Sequence, residues 1–164
     1  MERIKATEYP LEYDYDALMA RRGTSLIVVH HTGGAADDDL SAEEIHAAHI
    51  ALGWTAIGYH YVVRKSGAIE LGRPRWAIGA HAEGENYDSV GIEICGNFDI
   101  AEPTAAQIEA AAMLVANLAV DYGLPIDDEH IVGHRDLNAT SCPGDALYEK
   151  LPLIIGKANW YAYN

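Results

Sequence analysis

Residues 25–34 read SLIVVHHTGG, a stretch that indicates both a secondary-structure element and a candidate ligand. Its first half is a short apolar run rich in β-branched residues, which is typical of a buried β-strand. The strand ends at two consecutive histidines, His30 and His31. Because neighbouring side chains of a strand point to opposite faces, only one of the two is well placed to face a metal ion. The run therefore predicts a buried strand that presents one imidazole at its end.

Two helices with clear start and stop signals follow this strand. Ser41 and Glu44 form a Ser-x-x-Glu capping box, and the helix that it opens is expected to end at Gly53. Thr104, directly after a proline, caps a long alanine-rich helix that stops at Gly123. These local signals predict two helices separated by a strand-rich segment.

Strand patterns occupy residues 59–63, 68–71 and 90–95, and a Lys-Ser-Gly turn joins the first two. A short helix is expected from Gly144 onward. Strands that alternate with helices favour an α/β fold, in which a single domain has a central mixed β-sheet flanked by helices.

The composition excludes several classes of protein. A chain of 164 residues is long enough for one domain with a well-buried core. The formal net charge of -14 argues against nucleic acid as a partner, and against docking on an anionic membrane or wall by charge. No apolar run is long enough to cross a bilayer and no secretory pattern opens the chain, so we expect synthesis in the cytoplasm without membrane insertion. Residues 1–23, rich in tyrosine and acidic residues, are expected to form an arm packed on a domain of residues 24–164.

A second stretch, residues 133–144, reads GHRDLNATSCPG and offers an imidazole and a thiol in one polar loop. His134 and Cys142 of this loop, together with His30, make three donors compatible with zinc. Three protein ligands leave one tetrahedral position for water, which distinguishes a catalytic zinc site from a structural one. We therefore expect one zinc ion per chain. A disulfide between Cys95 and Cys142 is the alternative, and it would abolish this site.

Glu93 interrupts an otherwise apolar strand. A buried carboxylate is costly unless it is paired, hydrogen-bonded or close to a metal. An ion pair with Arg64 or Arg135 is one interpretation. The other is a general base, because desolvation would raise the pKa of the carboxyl toward a useful value.

A glutamate and two histidines on the first helix lack the second copy that a di-metal site needs, and are interpreted as a solvated helix face. They are Glu43, His46 and His49.

Five motifs occur along the chain in an order that points to one family. They are Val29-His30-His31-Thr32, Gly58-Tyr59-His60-Tyr61, Gly79-Ala80-His81-Ala82, Ser89-Val90-Gly91-Ile92-Glu93, and His134 followed by Cys142-Pro143-Gly144. With these motifs the sequence resembles the zinc-dependent N-acetylmuramoyl-L-alanine amidases of the phage-lysozyme and peptidoglycan-recognition-protein type. The resemblance runs from about residue 24 to residue 152 and implies the fold of that family.

The resemblance also implies a role for each matched residue. His30, the first histidine of its motif, and the two loop donors match the family's zinc ligands. Tyr59 matches a tyrosine that borders the metal-bound water, and Glu93 matches a glutamate that acts as a base in related amidases. Thr140 lies where family members carry Lys or Thr, and it is expected to help Tyr59 bind the oxyanion. Four further residues are expected to line the saccharide–peptide groove: Trp54, Arg75, His81 and Asn86.

The activity implied by the resemblance is hydrolysis of the amide bond between N-acetylmuramic acid and L-alanine in peptidoglycan. We expect a monomeric phage or prophage endolysin, or an autolysin, that acts on the cell wall after release, with a holin as the partner for release. Three alternatives stay open: a non-catalytic peptidoglycan-binding protein, a metal-stabilised interaction domain, and a cytoplasmic amidase that recycles muropeptides. Because the recycling group carries Asp at the third ligand position, Cys142 favours the wall-cleaving branch.

Overall fold

A six-stranded mixed sheet forms the centre of the computed structural model, which describes residues 1–164. Its strands in chain order are β1 (Ala6–Thr7), β2 (Leu26–His31), β3 (Tyr61–Val63), β4 (Ile69–Leu71), β5 (Ser89–Ile94) and β6 (Ile131–Gly133). The order across the sheet is β1-β4-β3-β5-β2-β6, and every neighbouring pair is parallel except the hairpin of β3 and β4. The expected α/β fold with a central mixed sheet is confirmed, and the strand predicted within residues 25–34 is β2, which lies between β5 and the edge strand β6.

Four α-helices accompany the sheet. They are α1 (Ala42–Ala51), α2 (Ala105–Tyr122), α3 (Asp145–Tyr148) and α4 (Leu151–Tyr163). The capping boxes at Ser41 and Thr104 are both formed, and Gly123 ends α2 in the left-handed conformation with φ of 66°. The predicted start and stop of the two long internal helices are confirmed.

The expectation of only a short helix after Gly144 is wrong. The chain forms two helices there, and α4 runs for 13 residues. Its proline lies in the first turn, where a missing backbone N–H costs no intrahelical bond. Leu151, Ile154 and Ala158 recur on one face of α4 and are buried in the main core, which stabilises the helix by packing.

The two faces of the sheet bury different kinds of residue. One face packs against α2 and α4 and forms a 23-residue apolar core that includes Ile92 and Ile94 of β5. The other face carries a cluster of five buried residues, among them Ile45 of α1 and Cys95. Glu93 lies between the two isoleucines of β5, so the alternation of the strand directs it to this second face. The sheet thus places the Glu93 carboxylate on the side away from the large core.

The N-terminal residues join the sheet through β1, which pairs with β4. The buried carboxylate of Glu70 accepts the Tyr9 hydroxyl at 2.8 Å and the backbone N–H of Ala42 at 2.9 Å. This carboxylate therefore ties the N-terminal segment to the start of α1. None of the helices combines the length and the hydrophobicity needed to cross a lipid bilayer.

The interpretation of the α1 histidines as a solvated face is wrong. His46 is buried, accepts the backbone N–H of Ile57 through Nδ1 at 3.0 Å, and donates from Nε2 to the carbonyl of Glu12. His49 is half-buried and accepts the N–H of Gly58 at 3.0 Å. These amides lie in the irregular segment before β3, where no neighbouring strand accepts their hydrogen bonds. The two imidazoles accept these bonds instead.

Candidate active site

Three donors meet where neighbouring parallel strands end. His30 is the last residue but one of β2, His134 directly follows β6, and Cys142 lies in the loop before α3. Their ligand atoms all lie within 4.8 Å of one another. His31 points to the other face, where its Nδ1 accepts the backbone N–H of Phe98. The structure brings together the three donors that were selected from the sequence, and both cysteines are free, which removes the disulfide alternative.

The spacing and chemistry of this donor set fit a zinc ion. Nδ1 of His30 lies 3.8 Å from Sγ of Cys142. Two such donors bound to one tetrahedral zinc ion at about 2.0 and 2.3 Å would lie about 3.5 Å apart. Burial lowers the pKa of His30 and His134, so both imidazoles are neutral at neutral pH and offer a lone pair. Burial raises the pKa of the Cys142 thiol to about 11, so this thiol would release its proton when it binds a cation.

Two of the donors are oriented by neighbours behind them. The Asn138 amide donates to the carbonyl of Glu83 at 3.0 Å, which directs its oxygen toward Nε2 of His134 at 2.9 Å. Because an amide oxygen can only accept, Nε2 of His134 carries the proton and Nδ1 remains as the ligand atom. Sγ of Cys142 accepts the backbone N–H of His31 at 3.4 Å. Such contacts fix the orientation of metal ligands before the metal binds.

Glu93 lies beside this cluster, in register with His30 on the neighbouring strand. It is fully buried, its Oε1 accepts the hydroxyl of Thr32, and its Oε2 has no hydrogen-bond partner. Burial raises the pKa of the carboxyl to about 7, although the Thr32 hydrogen bond opposes the rise. The proposed ion pairs are not formed: Arg64 binds Asp39 and Glu70, and Arg135 binds Asp145. The carboxyl therefore exchanges a proton near neutral pH.

Two hydroxyl groups flank the cluster. The Tyr59 ring meets the His30 ring edge-on, with 5.1 Å between centroids. Burial raises the pKa of Tyr59, so its hydroxyl remains protonated and can donate a hydrogen bond. Thr140 is exposed, and its oxygen accepts the backbone N–H of Cys142 at 3.2 Å. Because that bond uses a lone pair, the Thr140 proton remains available to a ligand.

A cleft of roughly 690 Å³ opens beside one of the donors, His134. His134, Thr140 and three of the four expected groove residues, Trp54, His81 and Asn86, line its wall. Trp54 is 41% exposed, which leaves much of its indole free for a ligand. The Asn86 side-chain oxygen accepts the backbone N–H groups of His81 and Ala82, both at 2.9 Å, so this oxygen holds the wall loop. His81 is buried, and its Nδ1 lies 2.9 Å from Nε2 of His30.

Arg75 does not reach this cleft. Its guanidinium binds Asp121 at 2.9 Å near the end of α2 and lies over the Tyr122 ring. It lines a different cavity, which is walled by tyrosines of the N-terminal segment. The expected groove role of Arg75 is therefore corrected: an acidic partner that is distant in sequence holds the side chain elsewhere.

Two residues beside the donors did not emerge from the sequence. Thr32 orients Glu93, and strand alternation from His30 would have indicated that it shares the same face. Asn138 orients His134 from four positions further along, a spacing that returns the chain to the same side of a helical turn. Neither residue was predicted, because a single polar residue in or next to a loop has no distinctive sequence pattern of its own.

Comparison with known proteins identifies the family. A family model described as N-acetylmuramoyl-L-alanine amidase matches residues 20–145. The endolysin of Klebsiella phage KP32 is 34% identical over 142 residues, which cover 82% of this chain and 91% of that protein. Peptidoglycan-recognition protein SC2 of Drosophila melanogaster is 35% identical over 144 residues, which cover 84% and 76% of the two chains.

Solved structures agree with the sequence matches. The endolysin N-acetylmuramoyl-L-alanine amidase LysCS from Clostridium intestinale superimposes with a TM-score of 0.84 at 29% identity, over 94% of this chain and 97% of that one. Drosophila PGRP-LB superimposes with a TM-score of 0.73 at 27% identity, over 82% and 84% of the chains. With most of its length matched and its three donors assembled beside a cleft, the chain belongs to the N-acetylmuramoyl-L-alanine amidase family.

Proposed function

We propose that the protein is a zinc-dependent amidase that cleaves the bond between N-acetylmuramic acid and the L-alanine of the peptidoglycan stem peptide. The assembly of His30, His134 and Cys142, next to an open cleft lined by His134, carries this proposal. Three oriented donors leave one position of a tetrahedral ion free, as hydrolysis requires. Bound there, zinc would polarise the scissile carbonyl and lower the pKa of a water molecule toward neutrality.

Glu93 is the proposed general base. Its pKa of about 7 lets the carboxylate accept a proton from the attacking water and return it to the departing alanine amine. The unpartnered Oε2 is the atom free to do this, because Oε1 is held by Thr32. One carboxyl thus serves both proton transfers.

Tyr59 and Thr140 are the proposed donors to the oxyanion. Both retain a hydroxyl proton, and both lie next to the donor cluster. Hydrogen bonds to the developing negative charge lower the barrier because they strengthen as the carbonyl carbon becomes tetrahedral. In the cleft, Trp54 offers an exposed indole face on which a sugar ring of the substrate stacks.

The setting that we propose is a phage or prophage endolysin, for which the endolysin relatives provide the support. In this proposal the protein acts as a monomer on the cell wall after release with a holin, and residues 24–164 form its catalytic domain. Binding without catalysis is the competing function, and retention of Cys142 together with Tyr59 favours catalysis over it.

Product analysis tests the proposed reaction. Purified peptidoglycan is incubated with the wild-type protein and with Cys142→Ala, and released fragments are analysed by end-group labelling and mass spectrometry. We expect new N-terminal alanine and intact glycan strands from the wild type, and neither change from the variant. New reducing sugar ends, or tight wall binding with no new amine, would contradict the proposal.

A further inference from the structure

His81 is buried directly behind His30, on the side away from the other donors. Its Nδ1 lies 2.9 Å from Nε2 of His30, and its Nε2 lies 3.3 Å from the hydroxyl oxygen of Ser89. The Ser89 hydroxyl in turn donates to the backbone carbonyl of Glu85 at 2.6 Å. The four groups form a hydrogen-bonded chain that begins at a fixed carbonyl and ends at His30.

The Glu85 carbonyl sets the position of every proton in this series of hydrogen bonds. A carbonyl can only accept, so the Ser89 proton points to Glu85, and the Ser89 oxygen accepts from Nε2–H of His81. A neutral imidazole has one N–H, so Nδ1 of His81 is unprotonated and accepts from Nε2–H of His30. The remaining nitrogen of His30, Nδ1, is then a bare lone pair that faces Cys142 at 3.8 Å.

The backbone around His81 is shaped to hold an imidazole. A Cβ on Gly91 of β5 would lie 2.5 Å from the His81 ring, and a Cβ on Gly79 would lie 2.6 Å from it. Both distances are shorter than side-chain contacts allow, so glycine at these positions makes the slot. The neighbouring His60 does not serve His30, because its Nδ1 accepts the N–H of Gly91 and its Nε2 meets the carbonyl of Ala77.

We infer that His81 is a positioning residue that holds His30 in the tautomer whose Nδ1 binds the metal ion. The inference rests on the proposed zinc site and deepens it. A partner that fixes the tautomer and the ring plane of a histidine ligand typically contributes about 10- to 100-fold to metal affinity. His81 therefore acts through His30 and makes no contact of its own with the metal.

The tautomer is measured on the metal-free wild-type protein by long-range proton–nitrogen NMR of its imidazoles. We expect His30 to carry its proton on Nε2 and His81 to have an unprotonated Nδ1. A proton on Nδ1 of His30 would overturn the inference. This measurement needs neither zinc nor a variant.

The affinity test compares two substitutions by competition with a chelator for zinc. His81→Asn keeps an acceptor near the position of Nδ1, whereas His81→Leu keeps the volume and loses the acceptor. We expect the Leu variant to bind zinc about 10- to 100-fold more weakly and the Asn variant to remain closer to wild type. If packing were the whole role of His81, the order of the two variants would reverse, which would overturn the inference. His130→Gln, a histidine paired with Asp127 outside the site, is the matched control and should bind zinc as the wild type does.

The two proposals fail in distinguishable ways. If the wild-type protein bound no zinc at all, the metal site itself would be refuted. If the wild type bound zinc and both His81 variants matched it, only the role of His81 would be refuted.

Discussion

Glu93→Gln is expected to stabilise the metal-free protein at alkaline pH while it removes most of the hydrolytic activity. The carboxyl is fully buried, and burial raises its pKa from 4.5 to about 7. A shift of this size corresponds to about 3 kcal/mol of differential stability between the protonated and ionised forms. The glutamine amide has nearly the same shape and carries no charge at any pH.

The sign of the effect follows from the direction of the shift. Because the folded state holds the proton of Glu93 more tightly than the unfolded chain, the contribution to stability is fully present below pH 4.5. It is lost as the pH rises through 7. The free energy of unfolding of Glu93→Gln, relative to wild type, should therefore rise by about 3 kcal/mol between pH 4 and pH 8.

Urea unfolding of both proteins with chelator present, at pH 4 and pH 8, measures this difference. Glu129→Gln, a substitution of an exposed carboxylate, is the control and should show little dependence on pH. A difference between wild type and Glu93→Gln that is equal at the two pH values would refute the reasoning. In the zinc-loaded enzyme the same substitution should lower kcat by about 10²- to 10⁴-fold, because glutamine cannot accept a proton.

Four further predictions follow from individual contacts. Tyr59→Phe should lower kcat by about 10²- to 10³-fold with unchanged zinc affinity, and a lost metal would contradict the oxyanion role. Thr32→Val removes the hydrogen bond that lowers the pKa of Glu93. The pH-dependent loss of folding stability should therefore continue to a higher pH than in the wild type. An unchanged pH dependence of urea unfolding would contradict this contact. Leu114→Ala, in the core of α2, should lower the free energy of unfolding by about 2–5 kcal/mol, and a loss below 1 kcal/mol would contradict its full burial. Because the net charge is -14, moderate salt should speed lysis of anionic walls by screening repulsion, and a steady fall in lysis rate with salt would contradict this.

The elements that were predictable from the sequence carry local signals. An apolar β-branched run indicated β2, and capping boxes with terminal glycines indicated α1 and α2. The strands β1 and β6 were not predicted, because no tight turn joins either of them to its partner and their pairing depends on strands that are distant in the chain. The helix α4 is longer than expected because it packs against α2, and the sequence does not reveal this contact.

The same distinction applies to the site. His30, His134 and Cys142 could be selected from the sequence because few other side chains bind zinc and each lies near the end of a strand or in a loop. Arg75 was assigned to the groove by its place in the chain, and only the structure reveals Asp121 as its partner. The hydrogen bond between His81 and His30 depends on Gly79 and Gly91, which leave room for the His81 ring. The sequence alone does not show that the two glycines have this role.

We propose that the three donors hold a zinc ion on which amide hydrolysis depends. The most direct test of this proposal is amine release from purified peptidoglycan by the protein as isolated, after removal of metal by a chelator, and after reloading with zinc. We expect that activity is lost on chelation and recovered with one equivalent of zinc, with L-alanine as the new N-terminus. Full activity in the metal-free protein, or one bound zinc with no amine released from any wall type, would contradict it.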